Sequence, residues 1–206
     1  MANREFENKY KDLGYTAIAG VDEAGRGPLA GPLVVAALVL PLSFNHSEIN
    51  DSKKLSAKKR VELFEVITAN AIAYNIQVVD EKTIDKLNIY QATKHAMKTA
   101  VNSLKLKVEV ALTDAMPLDN MNCLVEPIIK GDAKSISIAA ASILAKVTRD
   151  RIMEKLDKNY PEYGFKQHKG YPTKQHIAAI KKYGITKHHR KSYKPVSDAL
   201  QLSLFK

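Results

Sequence analysis

The stretch Ala17–Pro32, AIAGVDEAGRGPLAGP, constrains the fold more than any other. Ala17 to Val21 is a short run of small and β-branched residues, which suits a buried strand. It runs directly into two adjacent carboxylates, Asp22 and Glu23, and then into a turn rich in glycine and proline. A second apolar run, Leu33 to Leu40, follows and makes a hairpin-like strand pair around that turn. Two acids at the end of a buried strand are costly unless something cationic neutralises them. An Asp-Glu pair alone is more often just an acidic turn. Gly25-Arg26-Gly27-Pro28 beside it favours the other reading. Glycine lets backbone N–H groups come close to a ligand, and arginine offers a planar fork for phosphate. Carboxylates beside such a loop point to acids that hold a metal ion against a phosphodiester.

A chain of 206 residues, 45% hydrophobic and 26% charged, can bury one sizeable core with a small appendage. Its net charge of +10 predicts an anionic partner, nucleic acid before membrane, because no amphipathic anchor or lipidation signal is present. The lone Cys123 excludes an internal disulfide framework and fits a reducing cytoplasm. The first residues, MANREFENKY, lack the apolar centre of a signal peptide. No run approaches the ~18 apolar residues of a membrane span. The expectation is a cytoplasmic monomer with no membrane partner.

Along the chain, residues 1–13 read as a short helix or arm. Asp51-Ser52-Lys53-Lys54-Leu55-Ser56 precedes a helix that Ser56 caps, with Val61, Phe64, Ile67 and Ile72 near helical spacing. Ser52-Lys53, just ahead of that helix, is a candidate phosphate holder through its charge and free N–H groups; a solvated turn is the competing reading. Val78 and Val79 suggest a short strand. Ile84 to Leu104 reads as one amphipathic helix, on which His95 is a surface or supporting histidine rather than a ligand. Val108 to Asp114 is a strand whose alternation puts Val108, Val110, Leu112 and Asp114 on one face, which repeats the Asp22 situation. Leu124 to Ile129 is another short strand. Asp132 then stands just ahead of a long helix, Ser135 to about Tyr160, whose first half is small and apolar.

The composition shifts between Gly164 and Pro195. Nine Lys or Arg, four aromatic residues and no Asp or Glu mark a nucleic-acid contact surface rather than a merely solvated face. Within it, Thr173 caps a helix to Lys182 and Gly184 stops it. The tail, residues 196–206, ends in Gln201-Leu202-Ser203-Leu204-Phe205. Large apolar residues at a terminus either fold back or dock in a partner's groove.

GVDEAGRGPLAGP, DSKKLS, KGDAKSISIAAASILAKVTRD and GYPTKQH, in this order and spacing, resemble type 2 ribonuclease H (ribonuclease HII) over about residues 17–195. The sister family, ribonuclease HIII, usually carries an extra N-terminal domain and a different glycine loop. The resemblance implies an α/β ribonuclease H-like fold: a mixed central sheet flanked by helices, plus a small C-terminal helical region. It divides the chain into a catalytic domain, 1–195, in which 164–195 contacts substrate, and a tail, 196–206. It places the family's metal-binding, catalytic acids at Asp22, Glu23, Asp114 and Asp132. Where the family usually has Gly after the third acid, this chain has Ala115. Substrate contacts fall on Gly25, Arg26, Gly27, Ser52, Lys53 and Tyr171, with Ser142, Lys146 and Arg149 in supporting positions.

The implied reaction is hydrolysis of the RNA strand of RNA–DNA hybrids, and of the bond 5′ to a ribonucleotide embedded in duplex DNA. It would use two Mg²⁺ or Mn²⁺ ions and leave a 3′-hydroxyl and a 5′-phosphate. The implied roles are removal of ribonucleotides and RNA primers from DNA. Gly25-Arg26-Gly27 would sense the 2′-hydroxyl, and the Tyr171 ring would stack at the ribonucleotide–DNA junction. Gln201 to Phe205 resembles the QLSLF-type peptide with which bacterial proteins dock on the DNA polymerase sliding clamp. The rival readings are a structure-specific DNA nuclease of the same fold and a non-catalytic nucleic-acid or clamp adaptor. A zinc site from His168, His176, His188 and His189 is disfavoured by their loose spacing and the single Cys.

Overall fold

The computed structural model describes residues 2–50 and 52–204. Its core is a five-stranded sheet in the order β3-β2-β1-β4-β5. The strands are β1 Ile18–Ala24, β2 Leu33–Val39, β3 Ala73–Val79, β4 Val110–Asp114 and β5 Leu124–Ile128. β2 runs antiparallel to both β1 and β3, whereas β4 is parallel to β1 and β5 parallel to β4. The mixed sheet and the hairpin around the glycine turn are therefore as expected from the sequence. β2 is buried along its whole length because both faces are covered, which is why it reads as an unbroken apolar run.

Helices α1 Glu5–Asp12, α2 Ala57–Asn70, α3 Glu81–Leu87, α4 Ile89–Asn102 and α5 Ile136–Asn159 flank the sheet. Leu33, Val35, Ala37 and Val39 pack with Ala92, Ala96, Met97 and Ala100 of α4 on one face. Val34, Ala36 and Leu38 pack with Leu63 and Ile67 of α2 and the alanine-rich half of α5 on the other. α6 Phe165–His168, α7 Lys174–Tyr183 and α8 Lys194–Leu204 form the small C-terminal region, whose core includes Leu29, Ala30, Phe165, Ile180 and Val196.

Two caps are as the sequence indicates: Ser56 accepts from Lys59 N–H and Thr173 from His176 N–H; Ser135 likewise caps α5, accepting from Ile138 N–H. The single helix expected over 84–104 is two helices. Asn88 breaks it at φ 64°, and its side chain caps α4 by accepting from Gln91 N–H. The strand glimpsed at Val78-Val79 extends back to Ala73, held by pairing along all of β2. On α2 the buried residues are Leu63 and Ile67, whereas Val61 is exposed and Ile72 lies beyond the helix. α8 runs through Leu204, so Gln201 to Leu204 are helical and Gln201 is exposed. Phe205 lies outside the described residues.

Candidate active site

The parallel register pairs Val21 with Thr113, so the next residues, Asp22 and Asp114, stand side by side at the carboxyl ends of neighbouring strands. One strand further, Ile128 lies opposite Asp114, and the chain turns through Lys130, at φ 57°, into a short 3₁₀ turn that carries Asp132. Gly131 N–H donates to Asp114 Oδ1 at 2.8 Å and ties that turn to β4. Asp22, Asp114 and Asp132 each bring a carboxylate oxygen within 4.8 Å of the others. Ala115 sits at φ 55° immediately after the third acid. The glycine of the family pattern takes this conformation freely, whereas alanine bears a strain of about 1 kcal/mol. The turn keeps its shape all the same: Ala115 N–H donates to Ile128 carbonyl at 3.1 Å.

Glu23 lines the same cleft beside Asp22 but is not part of that tight triad. It faces Arg26 at 3.7 Å, and its Oε2 is buried without a hydrogen-bond partner. Burial raises Glu23 to about 7 against the pull of Arg26, with Asp114 adding to the rise and Lys53 opposing it. Burial, then the charges of Glu23 and Asp114, pushes Asp22 well above the ordinary carboxylate range. Asp114 is raised too, by burial first, while the Gly131 N–H works against it. Crowded acids of this kind resist ionising together.

Asp22, Glu23 and Asp114 open onto a cleft of about 270 Å³ that Gly25, Arg26, Gly27, Ser52, Lys53 and Tyr171 also line. The residues expected to contact substrate thus converge beside the acids, although they come from three separate stretches of chain. Lys53 Nζ meets Asp132 Oδ2 at 3.1 Å. The buried Ser52 and Ser142 hydroxyls are 2.9 Å apart, and Ser142 also bonds Asp22. Arg60 donates to the Ser52 and Leu55 carbonyls, which holds the Ser-Lys turn on α2. Gly25 has φ 101°, and a Cβ there would stand 2.2 Å from Arg149 Nε, so only glycine fits. Arg149 itself donates to the carbonyls of Ala30, Pro32 and Lys169, which binds the glycine loop to the segment ahead of Tyr171.

The basic stretch 164–195 is not uniformly exposed. Phe165, His176, His189 and Arg190 are all buried. The histidine tautomers follow from their partners. Thr186 N–H donates to His189 Nδ1, so His189 carries its proton on Nε2 and donates at 3.1 Å to His176 Nε2. His176 therefore holds its proton on Nδ1 and donates it to the Tyr171 carbonyl at 3.0 Å. His168 Nδ1 accepts from Gly170 N–H in the same turn. Both rings of the His189–His176 relay must be neutral for this arrangement. Burial lowers each to about 4.

Because the unfolded rings titrate near the ordinary histidine value of about 6.5, the unfolded chain binds more protons between there and about 4. The stability contributed by a neutral ring is complete above the upper limit and falls as pH drops through the window. The raised acids of the cleft titrate in the opposite sense, so the comparison needs His176→Gln as its reference. In urea titrations, the stability advantage of wild type over this variant is expected to shrink by about 2–3 kcal/mol between pH 7 and 4.5. An advantage that stays flat with pH would mean the ring is charged in the fold.

Sequence reasoning missed His176, His189 and Arg190 as builders of the site. Their partners are carbonyls and each other's rings, which leave no pattern in a sequence. The absence of any acid across the stretch was the available hint, because it means that these residues find no carboxylate partner nearby in the chain.

Acids clustered at the ends of adjacent parallel strands, on a mixed five-stranded sheet flanked by helices, define a metal-dependent hydrolase of the ribonuclease H-like fold. The ribonuclease HII family model matches residues 19–196, and the chain belongs to that family. It is 52% identical to the ribonuclease HII of Acholeplasma laidlawii over 97% of this chain and 98% of that one. The crystal structure of ribonuclease H2 from Pyrococcus horikoshii is similar, with a TM-score of 0.80 and 30% identity over 92% of this chain and 99% of that one. Also similar is the RNase HII in the PCNA:RNase HII complex from Archaeoglobus fulgidus, with a TM-score of 0.74 and 30% identity, covering 88% of this chain and 96% of that one. The activity of the family is that of a ribonuclease H. Among the described residues, no helix is long and apolar enough to cross a membrane.

Proposed function

We propose that this chain is an endoribonuclease that hydrolyses the RNA strand of RNA–DNA hybrids and cuts on the 5′ side of a ribonucleotide embedded in duplex DNA, leaving a 3′-hydroxyl and a 5′-phosphate. The observation that carries this reading is the convergence, in one cleft, of the Asp22–Asp114–Asp132 cluster with the Gly25–Gly27 loop and Tyr171. Its cellular roles would be removal of ribonucleotides and RNA primers from DNA in the cytoplasm. The 1–195 region acts as the catalytic domain, with 164–195 leaning over the substrate and the chain working as a monomer.

The cleft suits hard divalent cations. Its clustered donors are the carboxylate oxygens of Asp22, Asp114 and Asp132, Glu23 Oε2 is buried without a partner, and among the described residues neither Asp22 nor Asp114 pairs with a basic side chain. Asp22, Glu23, Asp114 and Asp132 would hold two Mg²⁺ or Mn²⁺ ions. Such ions supply the positive charge that activates water and stabilises the departing 3′ oxygen in an in-line displacement.

The remaining work falls to the protein's own groups. Ser52 and Lys53 bind a phosphate at the cleft mouth. Arg26, which is exposed and carries its own fork, takes a second. The N–H groups of the Gly25–Gly27 loop read the 2′-hydroxyl, the group that distinguishes RNA from DNA. The Tyr171 ring, 45% exposed, is free to stack on the sugar or base at the junction. The exposed Lys166, Lys174, Lys181, Lys182 and Lys187 hold the flanking duplex through phosphates, so affinity should fall steeply with salt.

The test is cleavage of a DNA duplex carrying one ribonucleotide, in Mg²⁺ and in Mn²⁺, beside an all-DNA control. A single cut 5′ to the ribonucleotide is expected. Cutting of the control would instead indicate a structure-specific DNA nuclease, and metal-dependent cutting of neither duplex nor hybrid would indicate an adaptor. Tyr171→Ala is expected to lose about tenfold more activity on the single ribonucleotide than on a long hybrid, in line with ~1–3 kcal/mol for one stacking contact. Equal losses on both substrates would remove the junction role.

The tail, Gln201 to Phe205, is read as a docking peptide for the bacterial sliding clamp. The exposure of Gln201 at the end of α8 supports this, as does the existence of a PCNA:RNase HII complex in the Archaeoglobus relative. Removing residues 201–206 should abolish retention on immobilised clamp.

A further inference from the structure

Arg190 is fully buried, and among the described residues it forms no ion pair with a carboxylate. Burying a guanidinium is expensive unless every donor is used. Here the donors go to backbone carbonyls of the glycine loop. Nη2 donates to Gly25 at 2.7 Å and to Gly31 at 2.8 Å, Nε donates to Gly31 at 3.0 Å, and Nη1 donates to Arg26 at 3.0 Å. Nη1 also reaches the Tyr193 hydroxyl at 3.1 Å, and that hydroxyl donates to the same Arg26 carbonyl at 2.6 Å. The guanidinium lies over the Tyr193 ring, 5.2 Å from its centroid.

The consequence follows from peptide geometry. All described peptide bonds are trans, and in a trans unit the N–H points opposite to the C=O. The Gly25 carbonyl shares its plane with the Arg26 N–H, and the Arg26 carbonyl shares its plane with the Gly27 N–H. Drawing both carbonyls onto Arg190 and Tyr193 turns both N–H groups the other way. Among the described residues, no backbone acceptor takes either one. Two successive unpaired amides, polarised by a cation behind them, make a concave donor site for one oxygen.

The scaffold for this clamp is stapled to the loop it holds. Arg190 N–H donates to Leu29 carbonyl at 2.8 Å, and Gly31 N–H donates to His188 carbonyl at 2.9 Å. An ammonium in place of the guanidinium is a single point of charge and cannot span carbonyls lying in several directions.

We infer that Arg190 and Tyr193 are the positioning pair that aims the Arg26 and Gly27 amides at the ribose 2′-hydroxyl, and so set the selectivity of the site for a ribonucleotide. This rests on the reading of the loop as the ribose sensor. Neither residue touches substrate; both act through the loop.

The experiment measures binding without turnover, in an Asp22→Asn background, by fluorescence anisotropy on two duplexes that differ only in one 2′-hydroxyl. The parent is expected to prefer the ribonucleotide duplex. Arg190→Lys should cut that preference about tenfold, and Tyr193→Phe, which removes one hydroxyl and leaves the core intact, about threefold, as expected for one or two misdirected hydrogen bonds. Affinity for the all-DNA duplex should stay within about twofold, since the Ser52–Lys53 contact and the exposed lysines that hold the flanking phosphates are untouched. A preference unchanged in Tyr193→Phe and in a folded Arg190→Lys overturns the inference. So does a parallel loss on both duplexes, which is what a merely structural role would give. A parent that shows no preference overturns the sensor reading itself, and the positioning role with it.

Discussion

Asp22→Asn is expected to lower turnover by at least ~10³-fold, a barrier increase of about 4 kcal/mol, while duplex affinity stays within a few-fold. Asp22 is the most enclosed acid of the cluster, 3% exposed, with Asp114 beside it across the ladder and Ser142 bonded to it. The asparagine has nearly the same shape and keeps one oxygen, so the cleft and its phosphate contacts survive. What it loses is the charge that makes the site a cation trap. A readout independent of turnover follows from the same electrostatics. An acid raised above its unfolded value is destabilising when it must ionise in the fold, so at pH 7 the neutral variant should melt higher than wild type in the presence of chelator. Adding Mg²⁺ or Mn²⁺ should reverse the order, because an ion at about 100 times its Kd stabilises the folded state it binds by ~2.7 kcal/mol. A variant that cuts at the wild-type rate, or that gains as much as wild type from the ions, would remove Asp22 from the metal site.

The acids were legible because each sits at a punctuation mark. Asp22 and Asp114 end apolar runs, and Asp132 stands between a strand and a capped helix. A strand end on a covered sheet is where a polar side chain reaches the surface, so residue type and position point the same way. The elements that failed to read correctly have equally local causes. Asn88 splits a continuous helical pattern by taking a left-handed conformation, and apolar spacing alone does not register one residue's φ. Ile72 fits the period of α2 yet belongs to the turn into β3. The buried His176, His189 and Arg190 escaped because charge in a sequence is read as surface. The burial of Arg190 depends on carbonyls delivered by a loop some 160 residues away in the chain, as with Nη2 on Gly25 at a separation of 165, whereas the two histidines are satisfied by the Tyr171 carbonyl, by Thr186 and by each other. A contact to backbone selects no side-chain type, so composition at the partner positions carries no trace of it.

The largest structural effect is expected from Gly20→Ala, a change of one methyl in the middle of β1. A Cβ at residue 20 would stand 2.1 Å from the Ser137 carbonyl carbon, 2.3 Å from its oxygen and 2.6 Å from Ile138 N. These are backbone atoms in the first turn of α5, so no rotamer change relieves the clash. The first turn is itself fixed. Ser135 caps it, and the buried Glu7 accepts from the Ser135 hydroxyl and the Ser137 N–H. Helix and strand must therefore part along their closest approach, at a cost of about 3 kcal/mol or more. For a chain of this length that lowers Tm by roughly 6–12 °C at ~2–4 °C per kcal/mol. The displacement carries into the site, because Gly20 and Asp22 are on the same face of β1 and α5 brings Ser142, Lys146 and Arg149 to the cleft. A shift of about 1 Å is enough to cost ~10²-fold in turnover, so the protein that remains folded should also be slow. Gly27→Ala is the control for stability: its Cβ would meet only the Tyr171 ring edge, at 3.5 Å, an ordinary contact. Thermal melts followed by circular dichroism should separate the two. Equal melting temperatures would mean that α5 can leave β1 without penalty, and that the close strand–helix approach does not set the depth at which Asp22 sits.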